Sequence, residues 1–391
     1  MARRIPPLVP RMREHTTSIF AEMSTLALEV GAINLGQGFP DTDGPDEIKN
    51  VAIAAIADGR GNQYPPPHGL PLLREAIAAH QGRFYDLDVD PRAGVVVGTG
   101  ASEILQSALM ALVDDGDEVV LFEPWFDIYT AGISLAGGRR VGVPMSGPGL
   151  RPDLEALAAA ITPRTRLILL NSPHNPTGIV FTPAELAEVA RIAQENDILV
   201  ISDEAYEHLW FDENEHVPIS TLPGMWERTI TVGSGGKTFS LTGWKIGWAS
   251  GPPDLIAAVR VVRQHLSYVS GGPFQYAIAH GLGLGDDYYD EFRLDLTRKR
   301  DLLSSGLRDL GFGVVHPQGT YFVSTDVRPL GYQDGLAFCR DLPGLAGVVA
   351  IPHQAFCDDT STAEPYVRWA FCKRPEVLEA ALDRLQRGLV G

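Results

Sequence analysis

Short apolar runs rich in β-branched residues alternate with longer amphipathic stretches along most of the chain. The short runs predict buried strands and the longer ones predict helices, because strands need only four to eight apolar positions. The predicted strands are the valine run that begins at Val95, before a glycine turn, and residues 119–122, 167–170, 198–202 and 229–232. The predicted helices include residues 19–28, 46–57, 70–80 and 254–265.

Strands that alternate with helices in this way predict an α/β fold with a mostly parallel central sheet flanked by helices. In such a sheet the carboxyl ends of the strands share one edge, and ligands bind in the crevice there. Five of the turns that follow predicted strands are rich in glycine, aromatic or polar residues. They are the turns that contain Ala101, Phe126, Asn175, Asp203 and Lys237. We therefore expect these turns to converge on one site.

The remaining patterns divide the chain. Thr182 and Glu185 form a capping box that starts a helix to about residue 195. A long charged helix begins near residue 290, and shorter strands and helices follow it, as in a smaller α+β domain. We predict an N-terminal arm over residues 1–45 that joins the small domain, a large domain over 46–290 and a small C-terminal domain over 291–391. The segment 267–275, rich in Gly and Pro, is expected to be a flexible lid or a subunit contact.

Composition narrows the class of protein. A chain of 391 residues can bury a sheet on both faces. The net charge of −17 argues against nucleic-acid and anionic-membrane partners, which require clustered Lys and Arg. Three cysteines without a CxxC pair indicate reduced thiols, and no stretch has membrane-span length. We expect a cytoplasmic protein without a metal site, since the histidines are scattered.

Lys237 lies between a glycine pair and hydroxyl residues, in the turn after a predicted strand. A lysine whose pKa is lowered there can form a Schiff base with a carbonyl compound. The hydroxyls of Ser234, Thr238 and Ser240, with Lys245, would suit a phosphate, and together with Lys237 they suggest pyridoxal phosphate. The alternative is a solvated loop lysine. A nucleotide P-loop does not fit, because Thr231 occupies the position of its first glycine.

Other residues have a structural and a functional interpretation each. The turn at Gly100, Ala101 and Ser102 joins a strand to a helix and so presents free N–H groups to an anion. Phe126 either packs in the core or stacks on a flat ligand. Arg368 lies among apolar residues of a predicted strand and needs an anion partner, either a structural carboxylate or a substrate carboxylate.

Two loops near the N-terminus allow the same two interpretations. The glycines of residues 33–45 make turns, or else Gly38 and Phe39 line a pocket that the backbone approaches closely. Tyr64 lies in a proline-rich turn, where an aromatic usually packs but where its phenol can also reach a ligand or a neighbouring subunit.

Taken together, these motifs resemble those of the class I/II aminotransferases, which depend on pyridoxal phosphate and have the aspartate-aminotransferase-like fold. The resemblance spans nearly the whole chain, with the motifs in the family's order. They are NLGQGFPD, NQYPP, GTGASE, EPWFD, SPHNPTG, SDEAYE, SGGKTFSLTGWKIGW and YVRWAFCKR. The resemblance implies a homodimer whose active sites lie at the subunit interface.

The resemblance also assigns roles around the cofactor ring. Lys237 would form the Schiff base and move the proton during transfer, and Asp203 would keep the pyridine nitrogen protonated. Asn175 and Tyr206 would bind the phenolic oxygen. Phe126 would stack on the ring.

The phosphate and the substrate have further sets of residues by the same resemblance. Phosphate-binding residues would be Gly100, Ala101, Ser102, Ser234 and Lys245, with Tyr64 added from the neighbouring subunit. Substrate-binding residues would be Arg368, Gly38, Phe39 and Asn175. Some relatives carry Arg in place of Lys245, which exchanges a two-pronged contact for a point charge.

Within the family, the chain is most similar to the actinobacterial N-succinyldiaminopimelate aminotransferases and to the kynurenine, glutamine and methionine aminotransferases. The implied reaction moves an amino group between an amino acid and a 2-oxo acid, with glutamate and 2-oxoglutarate as one pair. The expected substrate is N-succinyl-LL-2,6-diaminopimelate. The alternatives are a kynurenine, methionine or glutamine substrate, a cysteine-conjugate β-lyase, and a cofactor-sensing regulator, which the acidic charge disfavours.

Overall fold

The computed structural model of the protein describes residues 8–16 and 18–389. The first seven residues of the predicted arm, Thr17, and the last two residues of the predicted C-terminal domain lie outside that range. The α-helices of the described ranges are α1 (Ile19–Val30), α2 (Asp46–Ala57), α3 (Pro71–Tyr85), α4 (Gly100–Leu112), α5 (Asp127–Ala136), α6 (Leu154–Ala160), α7 (Pro183–Glu195), α8 (Gly235–Thr238), α9 (Pro253–Leu266), α10 (Gly272–Leu282), α11 (Asp286–Asp309), α12 (Gly335–Ala346) and α13 (Pro375–Leu389).

The strands fall into a large sheet, a small sheet and a two-stranded pair. In chain order they are β1 (Ile33–Asn34), β2 (Val95–Thr99), β3 (Glu118–Glu123), β4 (Arg139–Ser146), β5 (Arg151–Pro152), β6 (Thr165–Asn171), β7 (Leu199–Asp203), β8 (Thr229–Ser234), β9 (Ile246–Ser250), β10 (Gly313–Val315), β11 (Phe322–Asp326), β12 (Val348–Val349), β13 (Ile351–Pro352) and β14 (Tyr366–Ala370).

The large sheet has eight strands in the order β2-β9-β8-β7-β6-β3-β4-β5. Strands β4, β3, β6, β7 and β8 pair in parallel, whereas β9 is antiparallel to both of its neighbours. The central strands read as continuous apolar runs because helices cover both faces of the sheet. This arrangement confirms the predicted α/β fold with a mostly parallel sheet.

The small sheet is antiparallel, in the order β10-β11-β14-β13. Near it, β1 pairs in parallel with β12, so the N-terminal segment joins the C-terminal elements. One apolar core contains side chains from both sheets, including Val232 of β8 and Trp369 of β14. The predicted boundary at residue 290 falls within α11, and the division into three parts stays a prediction.

Individual elements agree well with the patterns that predicted them. Helix α2 has the predicted limits, and α7 begins with both hydrogen bonds of the Thr182–Glu185 capping box. The turn predicted at Lys237 is the short helix α8. The expectation of a flexible 267–275 segment was wrong in part, because α10 begins at Gly272, with Pro273 in its first turn where the missing N–H costs nothing.

None of the helices in the described ranges combines the length and the apolar character that crossing a bilayer demands. The three cysteines are free thiols, of which Cys339 and Cys372 are buried.

Candidate active site

The turns that follow β2, β3, β6, β7 and β8 open onto one cavity of about 330 Å³ at the carboxyl edge of the large sheet. Its far wall comes from β11, β14 and the loop between β1 and α2. The predicted site residues in the cavity wall are Gly38, Phe39, Gly100, Ala101, Ser102, Phe126, Asn175, Asp203, Tyr206, Ser234, Lys237, Lys245 and Arg368. The structure thus brings together the predicted site residues except Tyr64 and two of the hydroxyl residues suggested for a phosphate, Thr238 and Ser240. Thr238 Oγ1 instead donates to the carbonyl of Ser234 at 3.3 Å.

Lys237 points into this cavity from α8. Its Nζ donates a hydrogen bond to Tyr321 Oη at 2.8 Å, and no carboxylate of the described residues lies within ion-pair distance of it. Burial lowers the pKa of Lys237 to about 8, and the like charges of Arg368 and Lys245 act in the same direction. A substantial fraction of the amine is therefore neutral, and nucleophilic, near neutral pH.

Asp203 ends β7 at the bottom of the cavity. Its Oδ2 accepts a hydrogen bond from Tyr129 Oη at 2.7 Å, and its Oδ1 accepts one from the N–H of Ala205 at 3.1 Å. Burial raises the pKa of Asp203, although both hydrogen bonds oppose the rise. No cation of the described residues pairs with this buried carboxylate, which suits it to a protonated ring nitrogen.

The N-terminus of α4 forms an anion cradle. Its N-cap residue, Thr99, makes no side-chain cap hydrogen bond, so the first N–H groups of the helix are free. Gly100 has φ +77°, and a Cβ there would lie 3.1 Å from Lys245 Nζ. A Cβ on Gly247 would lie 2.4 Å from the N of Ala101. The close approach of these glycines keeps the cradle open for a phosphate.

Arg368 is 2% exposed and lies on β14 opposite the cradle. Its Nη1 donates to Asn175 Oδ1 at 2.8 Å and its Nη2 to the carbonyl of Gly36 at 2.7 Å. Its Nε has no hydrogen-bond partner, and no described carboxylate forms an ion pair with it. Burial lowers the pKa of Arg368 to about 10, which leaves the guanidinium charged. This arrangement fits an anionic ligand group rather than a structural carboxylate.

Aromatic rings line the space between the cradle and Arg368. Phe126 occupies the position just before α5. Its ring packs edge to face against the ring of Tyr129, with the two centroids 5.7 Å apart. Tyr206 follows β7, and burial raises its pKa, so its phenol keeps its proton. Gly38 is held close to this wall, since a Cβ there would lie 2.3 Å from the Phe322 ring. The cavity therefore has a flat apolar wall beside two anion sites.

Tyr64 lies apart from the cavity. Tyr64 is 79% exposed. Its ring packs edge to face against the ring of Tyr268, with the two centroids 5.5 Å apart. The structure does not bring Tyr64 to the other site residues of the same chain. Its assignment to a neighbouring subunit stays a prediction.

Two tyrosines of the site had no signal as functional residues in the sequence. Tyr129 lies in a cluster of aromatic residues that packing alone explains, and Tyr321 lies in none of the motifs. Their partners, Asp203 and Lys237, are 74 and 84 residues away along the chain. Only the packing of β11 against the sheet edge brings Tyr321 to Lys237.

The structure also brings together His80, Glu207 and His208, which the scattered histidines of the sequence did not indicate. The Nε2 atoms of the two imidazoles face each other at 2.7 Å, the distance of a direct hydrogen bond. Burial lowers the pKa of His80 to about 3 and raises the pKa of Glu207 to about 8. Burial thus favours the neutral form of both groups.

The fold and the cavity define a class of protein before any comparison. The cavity holds a buried lysine of lowered pKa, a buried carboxylate without a cationic partner, the uncapped N-terminus of a helix and a buried arginine without an ion-pair partner. These are the groups that pyridoxal 5'-phosphate and an amino acid require, and the donor set fits the cofactor.

Comparison with known proteins identifies the family. Residues 30–385 match the family model "Aminotransferase class I and II", and the chain belongs to this family. Its members depend on pyridoxal 5'-phosphate, so the protein is a transaminase that uses this cofactor.

Three relatives illustrate the range of similarity. The solved structure of N-succinyldiaminopimelate aminotransferase from Mycobacterium tuberculosis is 49% identical, with a TM-score of 0.94 over 97% of this chain and 99% of that one. A kynurenine–oxoglutarate transaminase of Dictyostelium discoideum is 38% identical over 94% of this chain and 93% of its own. The methionine aminotransferase of Escherichia coli (strain K12) is 37% identical over 97% of this chain and 99% of its own.

Proposed function

We propose that the protein transfers the amino group between N-succinyl-LL-2,6-diaminopimelate and its 2-oxo acid, with glutamate and 2-oxoglutarate as the other pair. The observation that carries the amino-acid part is Arg368, a buried guanidinium with a free Nε in the same cavity as Lys237. The side-chain part rests on the 49% identity to the Mycobacterium tuberculosis enzyme over nearly the whole chain.

Pyridoxal phosphate supplies the electron sink that acidifies the Cα–H bond of an attached amino acid. Lys237 would hold the cofactor and would carry the proton at Cα, for which its lowered pKa suits it. Asp203 would keep the ring nitrogen protonated. Asn175 and Tyr206 would donate to the ring oxygen, and Phe126 would pack against the ring.

The remaining assignments concern anchoring. Phosphate is bound by the free N–H groups at the start of α4 together with Ser234 and Lys245, and by Tyr64 of a second subunit. Arg368, with Gly38, Phe39 and Asn175, holds the α-carboxylate and so orients Cα towards Lys237. Orientation of this kind lowers the activation barrier of proton transfer because the reacting groups are already aligned.

One observation favours a second candidate, a kynurenine-, methionine- or glutamine-type aminotransferase. The cavity wall includes four phenylalanines, Phe20, Phe39, Phe126 and Phe322. Its cations are Lys237, Lys245 and Arg368, all of them already assigned. Within the described residues, the wall therefore offers an apolar side chain good packing and offers the distal carboxylates of a succinylated substrate no free cation.

A half-reaction screen separates these candidates. Cofactor-loaded enzyme is mixed with one amino acid at a time, without an oxo acid, and the loss of the visible cofactor band is timed. We expect N-succinyl-LL-2,6-diaminopimelate and glutamate to react at least about tenfold faster than kynurenine, methionine and glutamine. The reverse order would favour the second candidate, and release of pyruvate and ammonia from cysteine conjugates would show β-lyase activity.

We further propose that the enzyme works in the cytoplasm, as its free thiols suggest, which fractionation of the source cells would check. We also propose that it works as a homodimer, since Tyr64 is exposed and does not line the cavity of its own chain.

A further inference from the structure

The hydroxyl of Tyr321 joins the reactive lysine to the substrate loop. It accepts the hydrogen bond from Lys237 Nζ at 2.8 Å and donates its own proton to the carbonyl of Gly38 at 2.6 Å. Tyr321 itself is 1% exposed, and the N–H of Phe371 donates to its carbonyl at 2.9 Å. The side chain therefore has a fixed position between α8 and the loop that carries Gly38.

The direction of these two bonds limits what the phenol does. A phenol has one proton, and the Gly38 carbonyl, which can only accept, takes it. The oxygen therefore faces Lys237 with a lone pair. Burial raises the pKa of Tyr321 well above its usual value, so this oxygen is a neutral acceptor over the working pH range.

A neutral acceptor has a particular effect on an amine. It orients one N–H and, unlike a carboxylate, does not fix a full positive charge on the nitrogen. The other titratable and charged groups around Lys237 are Asp203, Tyr206, Lys245, Arg368 and Cys372. Burial raises the pKa of the Cys372 thiol to about 11, so this neighbour is neutral as well.

We infer that Tyr321 is a positioning residue that holds the Lys237 amine whenever the amine is not bonded to the cofactor. The lone pair of the amine nitrogen then faces the cavity. The inference rests on the proposed role of Lys237. The displaced amine would then have a defined hydrogen-bonded position until it binds the cofactor again. Through Gly38, the same hydroxyl ties that place to the loop that binds the substrate.

Tyr321→Phe removes the hydroxyl and keeps the ring, and Tyr289→Phe is the matched control. Tyr289 is equally buried, and its hydroxyl has no hydrogen-bond partner in the described structure. Melting temperatures of both variants check that each folds. Because the ring is retained, Tyr321→Phe loses two hydrogen bonds but leaves no cavity larger than a hydroxyl.

The first readout is the reactivity of Lys237 in the cofactor-free protein. Labelling by an amine reagent is followed against pH, with the modified peptide quantified by mass spectrometry. In wild type the Tyr321 oxygen stabilises the ammonium form of Lys237 more than the amine form. Without it the pKa of Lys237 should fall, and the labelling midpoint of Tyr321→Phe should lie about 0.5 to 1 pH unit below that of wild type. Tyr289→Phe should match wild type.

The second readout is turnover of the loaded enzyme. We expect kcat to fall between about tenfold and a hundredfold in Tyr321→Phe, with little change in substrate KM, because a misplaced amine slows proton movement more than binding. An unchanged labelling midpoint together with an unchanged kcat would overturn the inference.

A third variant, Lys237→Ala, separates the two proposals. If it abolishes transfer while Tyr321→Phe behaves as wild type, the inference about Tyr321 fails and the role of Lys237 stands. If Lys237→Ala retains normal turnover, the proposed function of Lys237 fails, whatever the result for Tyr321.

Discussion

Arg368 shows how much a single residue can indicate. Apolar neighbours on both sides in the sequence predicted a strand with one charged position, and the structure places that charge among Phe20, Phe322 and Phe356. The centre of its guanidinium lies 4.0 Å from the centroid of the Phe322 ring. A buried cation without an ion-pair partner is costly, so binding an anion at its free N–H is strongly favourable.

Arg368→Ala should raise the KM for the amino donor about a hundredfold, because a buried charge-assisted pair is worth about 2 to 5 kcal/mol when one partner is truncated. Cofactor affinity should change much less, since the phosphate cradle lies on the opposite wall. Steady-state kinetics and a cofactor titration measure both quantities.

The exposed Arg328 provides the matched control, because its ion pair is with Asp326 and it does not line the cavity. Arg328→Ala should leave KM unchanged. A KM for Arg368→Ala within about threefold of wild type would contradict the assignment of the carboxylate site.

At the scale of elements, local patterns predicted most of the sheet edge. Lys237, Asp203 and Asn175 each follow a run of buried apolar residues, and a parallel sheet places the ends of such runs together. The capping box of α7 and the strand-to-helix turn of α4 were visible because their chemistry is local.

Contacts between distant elements could not be predicted in this way. Tyr321 reaches the carbonyl of Gly38 across 283 residues of sequence, and Arg368 reaches Asn175 across 193. No periodicity encodes such pairs, since they depend on how the small sheet packs against the large one. The helical start of α10 was likewise missed because Gly and Pro favour turns in isolation.

For the whole molecule, the sequence predicted a mostly parallel sheet with one site at the carboxyl ends of its strands, and a smaller α+β domain. That β11 and β14 of the small sheet form the far wall of the cavity was not predicted. The part of the site that one chain does not complete is the position assigned to Tyr64. An exposed tyrosine on a proline-rich turn fits a contact with a second copy, and closed symmetric dimers are the commonest assembly.

The dimer prediction has a direct test. Sedimentation should give twice the chain mass of 42.3 kDa. Tyr64→Phe should keep the dimer and weaken cofactor affinity about tenfold to a hundredfold, the value of one hydrogen bond to a charged group. Mixed dimers of Tyr64→Phe with Lys237→Ala should recover one tight site each. A monomer, or wild-type affinity in Tyr64→Phe, would count against a shared site.

The central claim is that Lys237 is the residue that carries the cofactor and performs the transfer. Borohydride reduction of the loaded wild-type enzyme, followed by peptide mass spectrometry, tests it most directly. We expect the reduced cofactor on the peptide that contains Lys237, attached at that residue. Attachment at Lys245 or at any other lysine, or the absence of an adduct in an enzyme that transfers amino groups, would contradict it.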